Sequence, residues 1–208
     1  MASWTWSSAT ILQVTGPCSP TRVDLSRARD ARQTVSVARA VLEVVQGDIT
    51  RLQVDAVVNA ANSALAEGGG VCGAIFAAAG RVELARACAR LGGCPPGEAR
   101  ATPGFGLPAR WIIHTVGPVW HGGARGEDEI LGSCYVHSLE QAAELGARSV
   151  AFPAISTGIF GFPRDRAARI AVRTLAHCGA AVDRIVLVAF DRATEEAYRR
   201  ELTDLCRQ

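Results

Sequence analysis

The chain contains no lysine, because all 22 of its basic residues are arginine. This excludes a catalytic mechanism that uses a lysine Schiff base or a lysine nucleophile. The net charge is only +2, which is too small to indicate binding to nucleic acid or to an anionic membrane.

Long apolar runs and paired cysteine motifs are also missing. No apolar run approaches the roughly 18 residues of a membrane span, and no basic segment precedes an apolar one at the N-terminus. The seven cysteines are odd in number, scattered and without a CxxC pair, so neither a disulfide framework nor a zinc ribbon is indicated. We expect a cytoplasmic protein with reduced thiols and no membrane association.

The length and composition of the chain predict one domain with an N-terminal extension. The length is 208 residues, and 49% of them are hydrophobic, which is enough for a substantial core. Residues 1–38 are polar and turn-rich, with weak helical spacing over 21–40, and are predicted to be an N-terminal extension of unknown role. Residues 39–208 are predicted to form the domain, and we expect a monomer.

The periodicity of residues 39–208 alternates between strands and helices. Short apolar runs predict strands at 41–45, 54–59, 99–102, 111–116, 150–154 and 184–190. Helical spacing predicts helices at 71–91, 127–145, 164–177 and 193–205. This alternation predicts an α/β protein with one sheet covered on both faces by helices.

Two glycine-bearing loops follow predicted strands and are the main candidates for a binding site. The first contains Asn62 and Gly68–Gly70 and leads into a helix; the second runs from Ser156 to Gly161. Such loops present backbone N–H groups to an anion. Neither matches the P-loop or GxGxxG motif, so phosphoryl transfer of the P-loop kind is not indicated.

Polar and aromatic residues after two other strands belong to the same edge of the predicted sheet. Asp48 and Ile49 follow the first strand, and Phe190 and Asp191 follow the last. A carboxylate and an aromatic ring suit an adenine, while Asn62 suits a ribose diol. The sequence therefore predicts a nucleotide-type cleft at the carboxyl ends of the strands.

Five motifs, in this order, resemble those of the macrodomain family, and within it the MacroD-type ADP-ribose hydrolases. They are Gly47-Asp48-Ile49-Thr50, Val57-Val58-Asn59-Ala60-Ala61-Asn62, Gly68-Gly69-Gly70-Val71, Ile113-His114-Thr115-Val116-Gly117-Pro118 and Pro153-Ala154-Ile155-Ser156-Thr157-Gly158-Ile159-Phe160-Gly161. The resemblance implies a three-layer α/β/α fold with a central mixed sheet and a cleft for ADP-ribose. It implies no cofactor and no metal.

The resemblance also implies a role for each motif residue. Asp48 would hold the adenine amine beside the backbone of Ile49, and Phe190 would border the adenine. Asn62 would orient the distal ribose, which Gly69, Gly70, Val71 and Cys72 would line. The diphosphate would lie in the backbone of Ser156, Thr157, Gly158, Ile159 and Phe160. The residues at the reacting centre would be Asn62, Gly70 and Phe160.

Two positions depart from the family pattern. Cys72 stands where many MacroD-type enzymes carry an aspartate that orients the attacking water, and Phe76 stands where histidine is common. Other macrodomain hydrolases that lack this aspartate are thought to use a phosphate of the bound ADP-ribose instead. Without the aspartate, the reaction loses general-base catalysis, which contributes roughly 10²–10⁴-fold to a rate. The contribution from positioning the substrate in the cleft remains.

Several side chains have both a functional and a structural interpretation. Cys72 is either a nucleophile or a buried thiol, and no histidine is adjacent to it in sequence. Glu67 either replaces the missing acid or is a solvated loop residue, and His114 is either catalytic or a hydrogen-bonded core histidine. No ligand spacing supports a metal site at His121, Cys88 and Cys94. The helical arginines are expected on a solvated face: Arg164, Arg166, Arg169 and Arg173.

The resemblance implies an ADP-ribosyl hydrolase that releases ADP-ribose from mono-ADP-ribosylated acceptors. The bond would be an ester to Glu or Asp, with O-acetyl-ADP-ribose or ADP-ribosylated nucleic acid as further substrates. The expected partners are thus ADP-ribose and ADP-ribosylated protein or nucleic acid. Two alternatives stay open: a module that binds ADP-ribose without cleaving it, and a phosphatase acting on ADP-ribose 1″-phosphate.

Overall fold

The computed structural model describes residues 34–37 and 40–207, which form seven strands and five α-helices. The strands are β1 (Thr34–Val37), β2 (Ala40–Gln46), β3 (Ala56–Ala60), β4 (Ala99–Pro103), β5 (Trp111–Thr115), β6 (Ser149–Phe152) and β7 (Arg184–Ala189). The helices are α1 (Gly70–Ala79), α2 (Arg81–Leu91), α3 (Glu127–Glu144), α4 (Arg164–Cys178) and α5 (Arg192–Leu205). Two 3-10 helices cover Ile49–Arg51 and Gly179–Ala181.

All seven strands belong to one mixed sheet in the order β1-β2-β7-β6-β3-β5-β4. The five central strands run parallel, and the two edge strands, β1 and β4, run antiparallel to their neighbours. Parallel strands that are covered on both faces are apolar along their whole length. In β7 the five residues from Ile185 to Ala189 are all buried.

Successive residues of the central strands pack against different helices, because side chains alternate between the two faces of a sheet. Val57 belongs to the core on the side of α1 and α2, which includes Phe76. Val58 belongs to the core on the side of α3, α4 and α5, which includes Tyr135 and Tyr198. The protein therefore has three layers, helices on sheet on helices, and the predicted fold class is confirmed.

One long helix predicted at 71–91 is wrong, because α1 ends at Ala79 and α2 begins at Arg81. Gly80 lies between them with a φ of 103°, a conformation that residues with a side chain rarely adopt. Its N–H donates to the carbonyl oxygen of Phe76 at 3.1 Å. The alanine-rich segment continues across this point without a proline, so the break had no strong sequence signal.

An edge strand was also missed by the sequence analysis. The helical spacing expected over 21–40 is wrong at Thr34–Val37, which form β1 and pair with β2. The segment reads Thr-Val-Ser-Val, an alternation that is typical of a strand with one buried face. The rest of the predicted extension, residues 1–33 and 38, lies outside the described residues, and its role stays a prediction.

Within the part of the chain that the structure describes, no helix combines the length and the hydropathy that crossing a bilayer requires.

His114 is a buried core residue of β5, as the structural interpretation of the sequence predicted. Its Nδ1 lies 3.1 Å from the side-chain amide nitrogen of Asn59, and its Nε2 lies 2.9 Å from the hydroxyl oxygen of Thr102. The amide donates to Nδ1, so the ring is neutral and its Nε2–H donates to Thr102. Burial lowers the pKa of His114 to about 4, because the surroundings solvate an imidazolium poorly.

We predict that His114 makes the protein less stable in mild acid. Its ordinary pKa of 6.5 applies to the unfolded chain, so the unfolded state binds a proton first as the pH falls. The free energy of unfolding should be unaffected above about pH 7. It should decrease from about pH 6.5 towards pH 4, by up to about 1.4 kcal/mol per pH unit. Urea unfolding at pH 7.5, 6.5, 5.5 and 5 measures this slope.

The variant His114→Gln tests whether this residue is the cause. It should be less stable than the parent at pH 7.5 and lose less stability between pH 6.5 and 5. His121→Gln changes an exposed histidine and is the matched control. Equal slopes in His114→Gln and the parent protein would contradict the assignment.

Candidate functional site

The candidate site is a cleft of about 680 Å³ at the edge of the sheet where the parallel strands end. Its walls are formed by segments after β2, β3, β6 and β7, within residues 47–49, 60–74, 153–164 and 188–194. Ligands of open α/β sheets bind beyond the carboxyl ends of the strands. The volume also lies in the range of small-molecule sites. The cleft therefore lies at the carboxyl ends of the strands, which is the edge of the sheet that the sequence predicted.

All of the residues that the sequence analysis assigned to ligand binding or catalysis line this cleft. They are Asp48, Ile49, Asn62, Gly69, Gly70, Val71, Cys72, Ser156, Thr157, Gly158, Ile159, Phe160 and Phe190. The structure thus brings the predicted set together in one place. The role of each residue in binding or catalysis stays a prediction.

At one end of the cleft, Asp48 caps the 3-10 helix that follows β2. Its Oδ1 accepts hydrogen bonds from the Thr50 hydroxyl at 2.7 Å and from the Thr50 N–H at 2.9 Å. These bonds, with the side-chain bond as the larger cause, lower the pKa of Asp48, so the carboxylate is an acceptor at neutral pH. Phe190, at the end of β7, leaves 90% of its surface exposed and available for stacking.

The first glycine loop is held closed by Asn62. Its side-chain amide donates to the carbonyl oxygen of Ala66 at 2.9 Å, and its Oδ1 accepts from the N–H of the same residue at 3.1 Å. The loop ends at Gly69, which starts α1 without a side-chain cap, so the first N–H groups of this helix are open to the cleft. A Cβ at Gly73 would lie 2.7 Å from the Gly68 carbonyl oxygen, so the loop packs closely on its own helix.

The second glycine loop contains a strained serine with an unpaired hydroxyl. Ser156 has a φ of 63°, which is uncommon for a residue with a side chain. Its carbonyl oxygen accepts from the Phe162 N–H at 3.0 Å, and the Gly161 N–H donates to Gly158 at 2.9 Å. The side chain is 6% exposed, and its Oγ has no hydrogen-bond partner. The hydroxyl packs against Gly117, where a Cβ would have no room, so this loop lies directly on the segment that follows β5. Backbone strain of this kind is concentrated at functional sites.

The two glycine loops face each other across the cleft. A Cβ placed on Gly69 would lie 3.4 Å from the terminal methyl group of Ile159, which belongs to the second loop. Ile159 is 86% exposed, so its side chain projects from the rim instead of packing in the core. Backbone N–H groups from both loops therefore converge on one space, which is the geometry of an anion site.

A buried glutamate supports the second loop from behind, and the sequence analysis did not identify it. The carboxylate of Glu127 accepts hydrogen bonds from the N–H groups of His121, Gly123 and Arg125, at 3.0, 3.2 and 2.5 Å. Burial alone would raise the pKa of Glu127, but these backbone bonds outweigh it and lower the pKa to about 2. These bonds order the segment that follows Trp120. The backbone N–H of Trp120 donates to the carbonyl oxygen of Phe160 at 2.8 Å and so connects this segment to the second loop.

Cys72 is a buried thiol in the first turn of α1, with 4% of its surface exposed. The Asn59 side-chain amide lies 3.7 Å from the sulfur, which in turn lies 3.8 Å from the Ala66 carbonyl oxygen. Asn59 also donates to His114, so an amide, which is not a base, separates the thiol from the nearest histidine in this network. The geometry favours the structural interpretation of Cys72 over the nucleophilic one.

Glu67 forms an ion pair with Arg81 on the surface, and both side chains are substantially exposed. This position agrees with a solvated loop glutamate. It gives no support to Glu67 as a replacement for the missing acid.

The arginines of α4 are solvated, as predicted, but one of them also lines the cleft. Arg166 pairs with Asp128 and Arg169 pairs with Glu201 on the surface. Arg164 is exposed as well, and its side chain lines the cleft beside Asp191. The sequence analysis did not place Arg164 at the cleft.

Comparison with known proteins identifies the class. The profile described as "Macro domain" matches residues 58–171. A Macro domain-containing protein of Ralstonia nicotianae is 53% identical over 163 residues, covering 78% of this chain and 95% of the relative. The chain belongs to the Macro domain family.

Two further relatives are informative about activity and ligand. A protein of Klebsiella pneumoniae named O-acetyl-ADP-ribose deacetylase is 52% identical over 167 residues, covering 77% of this chain and 95% of that protein. A mutant of the Oceanobacillus iheyensis macrodomain, solved with ADPR, superposes with a TM-score of 0.82 at 37% identity. That match covers 86% of this chain and 100% of the Oceanobacillus chain.

Proposed function

We propose that this macrodomain is a hydrolase that releases ADP-ribose from mono-ADP-ribosylated acceptors. The preferred bond is an ester to Glu or Asp, and O-acetyl-ADP-ribose and ADP-ribosylated nucleic acid are further substrates. The observation that carries the proposal is the pair of glycine loops facing each other in one cleft, where Gly69 meets Ile159. The named deacetylase among the relatives and the ADPR-bound structural neighbour support it.

The parts of ADP-ribose match the parts of the cleft in order. The ionised carboxylate of Asp48 accepts from the adenine amine, and the exposed ring of Phe190 stacks on the base. The second loop binds the diphosphate through backbone N–H groups. The distal ribose then lies between Asn62 and the open N-terminus of α1.

The charges in the cleft favour an ester substrate. Among the described residues that line it, the carboxylates are Asp48 and Asp191. Hydrogen bonds lower the pKa of each, so neither holds a proton that it could donate to a leaving group at neutral pH. An acceptor carboxylate leaves as a stable anion without that proton, whereas an arginine acceptor does not.

Hydrolysis then needs a positioned water molecule. Its oxygen forms a bond to the anomeric carbon of the distal ribose while the bond from that carbon to the ester oxygen breaks. The acceptor departs as a carboxylate, and the proton of the water passes to a phosphate oxygen of the ligand and on to solvent. Asn62 and the first loop hold the ribose in line for this attack, since orientation alone contributes a large share of rate enhancement.

The absence of a carboxylate at position 72 favours a second candidate, a module that binds ADP-ribose without cleaving it.

To separate the two candidates, the protein is incubated with a glutamate-linked ADP-ribosylated protein and with O-acetyl-ADP-ribose, and released ADP-ribose is followed by chromatography. ADP-ribose 1″-phosphate is tested in parallel. We expect time-dependent release of ADP-ribose from the glutamate-linked protein and from O-acetyl-ADP-ribose. Retained label together with ADP-ribose binding by calorimetry would identify the binding module instead. ADP-ribose 1″-phosphate as the sole substrate cleaved would identify the phosphatase.

We predict that Asn62→Ala removes turnover and leaves much of the binding. The substitution deletes both hydrogen bonds to Ala66 and the group that orients the ribose. Turnover should fall by about 100-fold or more, the loss expected from a misplaced substrate. The affinity for ADP-ribose should fall less than about tenfold, because Asp48 and the second loop are untouched. Ser63→Ala, an exposed neighbour, is the control. Equal losses in affinity and turnover would contradict this division of roles.

We predict that Cys72→Ala changes turnover little and that Cys72→Asp increases it. An aspartate at this position would accept a hydrogen bond from the Asn59 amide and act as a general base, which contributes roughly 10²–10⁴-fold. Cys72→Asn has the size of aspartate without its basicity and is the matched control. Initial rates on the ester substrate measure all three variants. A large loss in Cys72→Ala would show instead that the thiol takes part in the reaction.

A further inference from the structure

Arg164 differs from the other arginines of α4 in its pairing. Its Nη2 lies 3.8 Å from Asp191 Oδ2, which is beyond hydrogen-bond distance, and 47% of its side chain is exposed. Arg166, by contrast, makes a bidentate contact with Asp128 at 2.8 Å. An exposed ion pair of this kind contributes little to stability, so little free energy holds Arg164 at Asp191.

Asp191 is fixed where Arg164 is not. Its Oδ1 accepts from the Thr194 N–H at 2.7 Å and caps the N-terminus of α5. The backbone bond from Thr194 is the largest cause that lowers the pKa of Asp191, with Arg164 a smaller one. The carboxylate is thus held in place by α5, and the guanidinium is the partner that is able to move.

The position of Arg164 is electrostatically unusual. It is the first residue of α4, where a cation is unfavourable because the helix N-terminus carries a partial positive charge. It is also the one basic side chain among the described residues that line the cleft. Arg164 and the N-terminus of its helix therefore both attract an anion into the same cleft.

We propose that Arg164 is a specificity-determining residue that binds phosphate oxygens of the ligand and so selects ligands with a charged diphosphate. The guanidinium leaves Asp191 when the ligand enters, because its planar group with five N–H donors forms two parallel hydrogen bonds to a phosphate. Asp191 competes for Arg164 in the empty cleft and so weakens binding. This inference rests on the proposed function, since it takes the diphosphate of ADP-ribose as the anion.

The test is calorimetric titration with ADP-ribose over a range of sodium chloride concentrations. Arg164→Gln should lower the affinity about tenfold, the loss expected for one charge-assisted contact. The affinity of this variant should also depend less on salt, because one ion pair with the ligand is gone. Arg164→Lys keeps the positive charge but cannot form two parallel hydrogen bonds to a phosphate. Its affinity for ADP-ribose should lie between those of the parent protein and Arg164→Gln.

Two further variants complete the design. Asp191→Asn keeps an N-cap residue for α5 and removes the competing charge, so it should bind ADP-ribose several-fold more tightly. Arg169→Gln, on the solvent side of the same helix, should bind like the parent protein. Thermal unfolding of each variant shows that the fold is retained.

The outcomes separate this inference from the proposed function. If Arg164→Gln binds as tightly as the parent, or more weakly with an unchanged salt dependence, the role of Arg164 is overturned while ADP-ribose binding stands. Tighter binding by Asp191→Asn supports the competition, and unchanged binding overturns it. If the parent protein does not bind ADP-ribose at all, the proposed function itself fails.

Discussion

The carboxyl ends of four parallel strands, β2, β3, β6 and β7, lie at one edge of the sheet, and the cleft depends on this arrangement. Each strand ends in a loop at that edge, and the order of β6 beside β3 places the two glycine loops next to each other. A Cβ added to Gly69 would lie 3.4 Å from the side chain of Ile159, which shows how closely the loops approach. Either loop alone is a common turn in α/β proteins. Together they line one cleft, as the proposed binding of a diphosphate requires.

This arrangement is held by contacts within the loops and by one contact from a neighbouring segment. The first loop is closed by Asn62, and the second is held through the backbone of Trp120, whose segment is ordered by the buried carboxylate of Glu127. Ser156 adopts its left-handed conformation within this support. Strained residues persist only where the surroundings determine them fully. Both loops are therefore held in shape before any ligand is present, which lowers the ordering cost of binding.

Local sequence signals were sufficient to predict the central strands and the two glycine loops, because these features depend on residues close together in the chain. Valine-rich runs ending in polar residues and glycines located them, while Val71 and Cys72 were assigned to the cleft through the family resemblance. The break at Gly80 and the edge strand β1 were missed because each has only a weak local pattern. The hydrogen bond between Asn59 and His114 joins residues 55 positions apart, and no spacing rule connects them. The position of Arg164 at the cleft was missed for the same reason, since its neighbour Asp191 is the N-cap residue of α5.

Cys72 shows how one substitution alters the balance between binding and turnover. A carboxylate at this point would add a negative charge beside the α1 N-terminus and near the phosphates of a bound ligand, where like charges repel in a partly enclosed cleft. The thiol removes that repulsion and leaves the helix N-terminus to the ligand alone. Under the proposed function the thiol also supplies no base, so turnover would depend on orientation by Asn62 and on the ligand's own phosphate. The same side chain would then favour tight binding over fast chemistry, because the charge that would repel the phosphates is also the base that would assist the attack.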